Sequence, residues 1–156
     1  MFGRFVPALV GRRSLIAAGF MAGVLLPGVA SAQAPTTRTF SPDGGLVLNF
    51  VKPDKTSDFE AVMAKVKEGL MKSTKPERNA QAKSWKVFKS PDKAGDNVLY
   101  VFIIDPAVKD ADYTISNILA ESFPPAEVNE LYKKYAEAYG TGQQPVNLAL
   151  VNDFSK

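Results

Sequence analysis

Val98 to Ile104 is a run of seven apolar or aromatic residues closed by Asp105-Pro106. It is too short to cross a membrane and rich in β-branched types, the pattern of a strand covered on both faces. Upstream, Leu46–Val51 reads as a strand with Leu46, Leu48 and Phe50 on one face and Val47, Asn49 and Val51 on the other; Lys52-Pro53-Asp54 ends it. Phe59, Val62, Met63, Val66 and Leu70 then recur at helical spacing. Ser57 with Glu60 three residues later predicts a capping box at the start of that helix, with Asp58 in its first turn.

Pro76 opens a short helical segment running to about Lys83. Trp85–Lys89 predicts a strand whose lysines suit a sheet edge, and 91–97 a turn delivering the central strand. Residues 109–113 read as a loop and Thr114–Phe123 as a short helix, broken by Pro124-Pro125. In Ala126–Tyr139 a stripe of Val128, Leu131, Tyr132, Tyr135 and Tyr139 predicts a helix ended by Gly140. Gly142–Pro145 leads to a last strand, Val146–Val151.

Strand, helix, strand, strand, helix, strand is an α+β order, the ferredoxin-like βαββαβ arrangement with helices on one face of an antiparallel sheet. A sheet wet on its other face alternates apolar and polar residues. Here the central strand does not alternate, and the first and last strands each carry one polar residue, Asn49 and Asn147. The second face therefore needs a cover. A second copy of the chain, closing a dimeric α/β barrel, is the expectation; the leader-proximal segment or the long loops folding over it is the alternative.

Residues 1–34 have the make-up of a secretory signal. Arg4, Arg12 and Arg13 precede an apolar run from Leu15 to Val29, and Ala30-Ser31-Ala32 offers a cleavage site of small residues. Gly11-Arg12-Arg13-Ser14-Leu15-Ile16 resembles a twin-arginine signal, although paired arginines also occur in ordinary secretory leaders. Either route predicts a periplasmic or secreted protein with no membrane segment after processing. Residues 35–45 read as a flexible lead-in and 46–156 as one α+β domain, about 120 residues in all, enough for its own core.

The leader also changes the charge argument. All 16 acidic side chains but only 16 of the 19 basic ones lie beyond it. The pI near 9.1 thus belongs largely to the leader, and nucleic acid is not an expected partner. Residues 35–93 carry 12 basic and 7 acidic groups and residues 94–156 carry 4 and 9, an asymmetry usable in association, or else two solvated faces. The basic stretch includes Lys72, Lys75, Arg78, Lys83, Lys86, Lys89 and Lys93.

At this point the order of elements from Leu46 to Val151 resembles the dimeric α/β-barrel superfamily. That group includes the antibiotic-biosynthesis monooxygenases and the related stress-response and haem-degrading proteins. The texture around Trp85-Lys86-Val87-Phe88 and Tyr100-Val101-Phe102-Ile103-Ile104-Asp105-Pro106 is also similar to a group of uncharacterised secreted bacterial proteins. The haem-degrading branch uses a histidine ligand, and this chain has no histidine.

With neither histidine nor cysteine, the usual nucleophilic triads, thiol chemistry, disulfides and most zinc, copper and haem sites are excluded. No cofactor is expected. Asp105, Asp110 and Asp112 gather oxygen ligands without EF-hand spacing; they read as a solvated acidic loop, and no metal site is assigned.

What the resemblance implies is a cleft between sheet and helices in which Asn, Trp and Tyr hold an aromatic substrate. Asn49, Trp85 and Tyr100 are the catalytic candidates it suggests, acting by hydrogen bonding to an enolate. Phe50, Trp85, Tyr100, Phe102 and Asn147 are the expected ligand contacts, with Asn49 and Asn147 neighbours if the first and last strands pair. Three readings follow. They are an exported binding module for a small apolar or aromatic molecule, a cofactor-independent oxygenase, and a structural dimer without a ligand.

Overall fold

A computed structural model describes residues 37–155; the proposed leader, residues 1–34, lies outside the described residues. Four strands form one antiparallel sheet, β1 (Gly44–Val51), β2 (Trp85–Ala94), β3 (Asn97–Ile104) and β4 (Tyr139–Leu148), in the order β2-β3-β1-β4. Helices α1 (Thr56–Lys72), α2 (Pro76–Ser84), α3 (Ile115–Ser122) and α4 (Pro125–Ala138) complete an α+β fold. None of them is long and apolar enough to cross a membrane.

β1 and β3 lie at the centre, with Val47 opposite Phe102, Asn49 opposite Tyr100 and Val51 opposite Val98. Val47, Asn49, Val51, Tyr100, Phe102 and Ile104 are buried in the core that the helices share. The predicted stripe of α1 supplies the other half: Phe59, Val62, Val66 and Leu70 are buried. Phe59 is its hub, with ring centroids of Tyr100 at 4.7 Å, Tyr139 at 6.0 Å, and Phe102 and Tyr135 at 6.2 Å. Aromatic clusters of this kind add directional contacts to the area they bury.

Leu46, Leu48, Phe50, Val101 and Ile103 point the opposite way by strand alternation and are only half-buried. At the margins of that face Phe88 is 50% exposed. From Leu148 the chain runs on with Leu150 67%, Val151 95% and Phe154 94% exposed. Among the described residues, no helix covers this face of the sheet.

Several expectations are corrected. A single 3-10 turn, Pro53–Lys55, precedes α1, so the helix starts two residues early; its N-cap is Lys55 and no side chain caps it. Ser57 therefore lies inside the helix, and the expected capping box does not form. β2 continues through Pro91 to Ala94 with an irregularity between Lys89 and Lys93, leaving a tight turn at Gly95-Asp96. Pro91 is tolerated there because β2 is an edge strand. β4 starts directly after α4 and ends at Leu148, so Gly142–Pro145 is strand and Ala149–Val151 is not.

The lead-in is not loose either. The Tyr113 amide donates to the Arg38 carbonyl at 2.7 Å, the Arg38 amide to Asp112 Oδ1 at 3.0 Å, and Phe40 is buried. Gly45 permits this. A Cβ there would stand 2.2 Å from the Phe40 ring, so only glycine leaves room for the strap of residues 37–40.

Candidate functional site

The site is built by an irregularity in β4. Val51 pairs with Tyr139 and Phe50 with Gly142, so Gly140 and Thr141 are extra residues bulged out of the ladder. Gly142 has φ +96°, a conformation that glycine adopts without strain. As a result Tyr139 and Gln143 both point to the helix side of the sheet, opposite Val51 and Asn49.

These residues form a polar network inside an apolar core. Asn49 is fully buried and spends both amide hydrogens on backbone, donating to the carbonyls of Val47 at 3.1 Å and Tyr100 at 3.2 Å. Its Oδ1 accepts from the Tyr139 hydroxyl at 3.1 Å and from Gln143 Nε2 at 2.9 Å. Gln143 Nε2 also lies against the hydroxyls of Tyr135 and Tyr139. Burial raises the ionisation of both phenols above the usual tyrosine range, Tyr139 far above it, so both stay neutral and serve as hydrogen-bonding groups. Arg38 closes the network from the strap, its Nη1 donating to Gln143 Oε1 at 3.0 Å.

Above the network is a cavity of about 480 Å³. Its walls are the strap (Thr37–Phe40), the start of α3 (Ile115, Ser116), Tyr132 and Tyr135 of α4, and Gln143, Pro145, Val146 and Asn147 of β4. Arg38 also lines a neighbouring cavity of about 400 Å³ beside Tyr132, Tyr139 and Gln143. A separate cavity of about 450 Å³ lies between α1 and β2, lined by Met63, Val66, Leu70, Met71, Trp85 and Val87, with Lys67 its one charge among the described residues. It is apolar, and no set of polar groups converges in it to orient a ligand.

The sequence-predicted residues do not converge as one cleft. Trp85, Tyr100 and Phe102 share the helix side of the sheet, whereas Phe50 lies on the opposite face. Asn147 pairs with Gly45, not Asn49, and its Oδ1 accepts from the Ser41 amide at 2.9 Å; it reaches the rim of the large cavity. Asn49, the proposed enolate donor, has no amide hydrogen left to give. The Tyr100 hydroxyl is taken by the Glu60 carboxylate, which Lys89 also pairs at 3.0 Å. Trp85 packs edge-on against Phe102 and Tyr113 at 5.4 and 5.6 Å, and its buried Nε1 has no acceptor among the described residues.

Asp112 is a structural cap. Burial alone would raise its pKa, but hydrogen bonds from Thr114, Asn117 and the Arg38 amide outweigh that and hold it below the usual carboxylate range. Among the described residues no group of acidic side chains is arranged to hold a metal ion. Arg78, expected on a solvated basic face, is 5% exposed. It forks onto Glu121 at 3.0 and 2.7 Å, donates to Gln81 Oε1 at 2.8 Å and reaches the Asp112 carbonyl, tying α2 to α3.

Sequence reasoning missed Arg38 and Gln143 because both stand in segments read as connections. The helical spacing reads Tyr135 as packing with its hydroxyl at the rim; the structure turns that hydroxyl onto Gln143. One usable signal was Phe40, a lone large aromatic in a polar lead-in, which marks a segment with something to bury. Compared with protein-family models, curated proteins and solved structures, the chain finds no match in any of the three.

Proposed function

We propose that this chain is an exported binding module for a small aromatic or apolar molecule, seated in the cavity between the strap, α4 and β4. The observation that carries the reading is the cavity together with its floor. About 480 Å³ is within the size range of small-molecule sites. Phe40, Tyr132 and Tyr135 offer aromatic walls, and Arg38 and Gln143 are a small convergent polar set of the kind that orients a ligand. The binding reading is preferred to the oxygenase reading because Asn49 and Tyr100 have their donors committed within the protein.

The architecture proposed is ferredoxin-like and the assembly a two-fold dimer closing an α/β barrel. In support, β2-β3-β1-β4 with antiparallel neighbours is the strand order that a split βαβ unit generates. The face carrying Leu48, Phe50 and Val101 has an apolar centre, and Leu150, Val151 and Phe154 in the tail after Leu148 are exposed. A second copy brings the same two surfaces, so one two-fold contact covers both. Export to the periplasm or medium rests on the leader pattern of residues 1–34.

Native mass spectrometry of the processed protein, recovered from its own export route without refolding, tests the binding reading. The expected spectrum is a dimer with a discrete small-molecule adduct that is lost when Tyr135 becomes Ala. A dimer of bare mass that also gains no adduct from a library of small aromatic compounds would favour a structural role.

A further inference from the structure

We propose that the ligand of this cavity carries a single carboxylate and that Arg38 is its counter-charge, an inference that rests on the cavity being a binding site. Two arginines fall within the described residues, and they are used in opposite ways. Arg78 is buried and spent: its guanidinium forks onto Glu121 and reaches Gln81 and the Asp112 carbonyl. Arg38 makes no ion pair among the described residues. A guanidinium has five N–H donors. One is spent on Gln143 Oε1, and the other four make no hydrogen bond among the described residues.

The surroundings select the sign of the partner. Among the described residues Arg38 is the one ionic side chain lining the 480 Å³ cavity; the other polar walls they supply are hydroxyls and amides, so from them an anion meets one positive charge and no carboxylate. The nearby acid, Asp112, has its oxygens turned onto the amides of Arg38 and Thr114 and onto Asn117 Nδ2. Geometry then narrows the class. A planar fork matches a carboxylate through two parallel bonds. A dianionic phosphate would keep one charge uncompensated in a site with a single cation. Tyr132, half-exposed, and Tyr135 flank Arg38 and suit an aromatic or apolar body attached to that carboxylate.

The test is an amide-detected NMR titration of the processed protein with naphthalene-2-carboxylate and, separately, with naphthalene-2-carboxamide, a neutral probe of nearly the same shape. The carboxylate is expected to shift the amides of Thr39, Ile115 and Gln143 and to bind at least tenfold more tightly than the carboxamide. In Arg38→Gln, with an otherwise unchanged spectrum, the two affinities should fall within twofold. Equal affinities at these amides in the wild-type protein would overturn the carboxylate assignment and leave the cavity reading standing. A preference that survives in Arg38→Gln would remove Arg38 from the assignment and overturn it. Shifts confined to Met63, Leu70 and Trp85, or no shifts at all, would overturn both the assignment and the cavity reading.

Discussion

The Tyr139 hydroxyl donates to Asn49 Oδ1 at 3.1 Å, joining residues 90 positions apart in the buried polar network. The bond exists because the bulge in β4 turns Tyr139 and Gln143 to the same face as Asn49. With both amide hydrogens on strand carbonyls and Oδ1 accepting twice, Asn49 is the node that ties the two central strands to the bulge of β4 after α4. Asn49→Ala should lower unfolding free energy by about 2–3 kcal/mol, since it strands buried donors and acceptors and opens a void. Asn49→Asp should cost more, because a carboxylate cannot donate to the Val47 and Tyr100 carbonyls. Urea unfolding followed by circular dichroism checks both, and a neutral effect of Asn49→Asp would contradict the assigned network.

Gly45 sets the position of the strap. A methyl group there would meet the Phe40 ring at 2.2–2.8 Å, too close for any rotamer adjustment of β1 to absorb. Gly45→Ala should destabilise the fold by about 1–3 kcal/mol through overpacking. It should also displace residues 37–40, raising hydrogen exchange at the Tyr113 amide, which bonds to the Arg38 carbonyl. Unchanged exchange at Tyr113 would show that the strap is held by something other than Phe40.

Acid should loosen the α2–α3 side of the molecule first. Glu121 is held below its ordinary pKa of 4.5 by the Arg78 fork, against an opposing effect of burial, with Lys75 assisting. Asp112 is held below its ordinary 3.8 by Thr114, Asn117 and Arg38, which outweigh burial. Both folded values are depressed. Their contribution is therefore fully present above the unfolded values of 3.8 and 4.5 and is lost as pH falls through the folded ones. Thermal melts from pH 6 to pH 2 should show a steeper loss of Tm below about pH 4.5 in the wild type than in Glu121→Gln. Glu121→Gln should itself be less stable at pH 7, because it leaves Arg78 buried without its charge partner.

The open sheet face should respond to charge without loss of the fold. Val101 sits at its centre, paired with Leu48 on one side and Phe88 on the other. Val101→Lys should convert the proposed dimer to a monomer at micromolar concentration by light scattering while keeping its circular dichroism spectrum. A wild-type protein that is already monomeric would instead place the cover of that face within its own chain.

Sheet and helices were legible where burial is periodic. The stripe of Phe59, Val62, Val66 and Leu70 and the run from Val98 to Ile104 lie where their patterns place them, although in the run only Tyr100, Phe102 and Ile104 are buried. The last strand was misplaced because its first half, Gly140–Pro145, is made of turn-forming and polar residues. It is strand because β1 offers an edge to pair with, and its polar Gln143 is inward because the bulge turns it there. The site was least legible for the same reason. Asn49 announced itself as one polar residue in an apolar strand, but its side-chain partners, Tyr139 and Gln143, come from the bulged strand β4, and no local pattern encodes that bulge.

The most direct test is a crystal structure of the protein purified without refolding. The account predicts a two-fold pair packed through Val101 and Leu48, with ligand density against the Arg38 guanidinium between Tyr132 and Gln143. A monomer with its sheet face covered by its own tail, and only water beside Arg38, would contradict it.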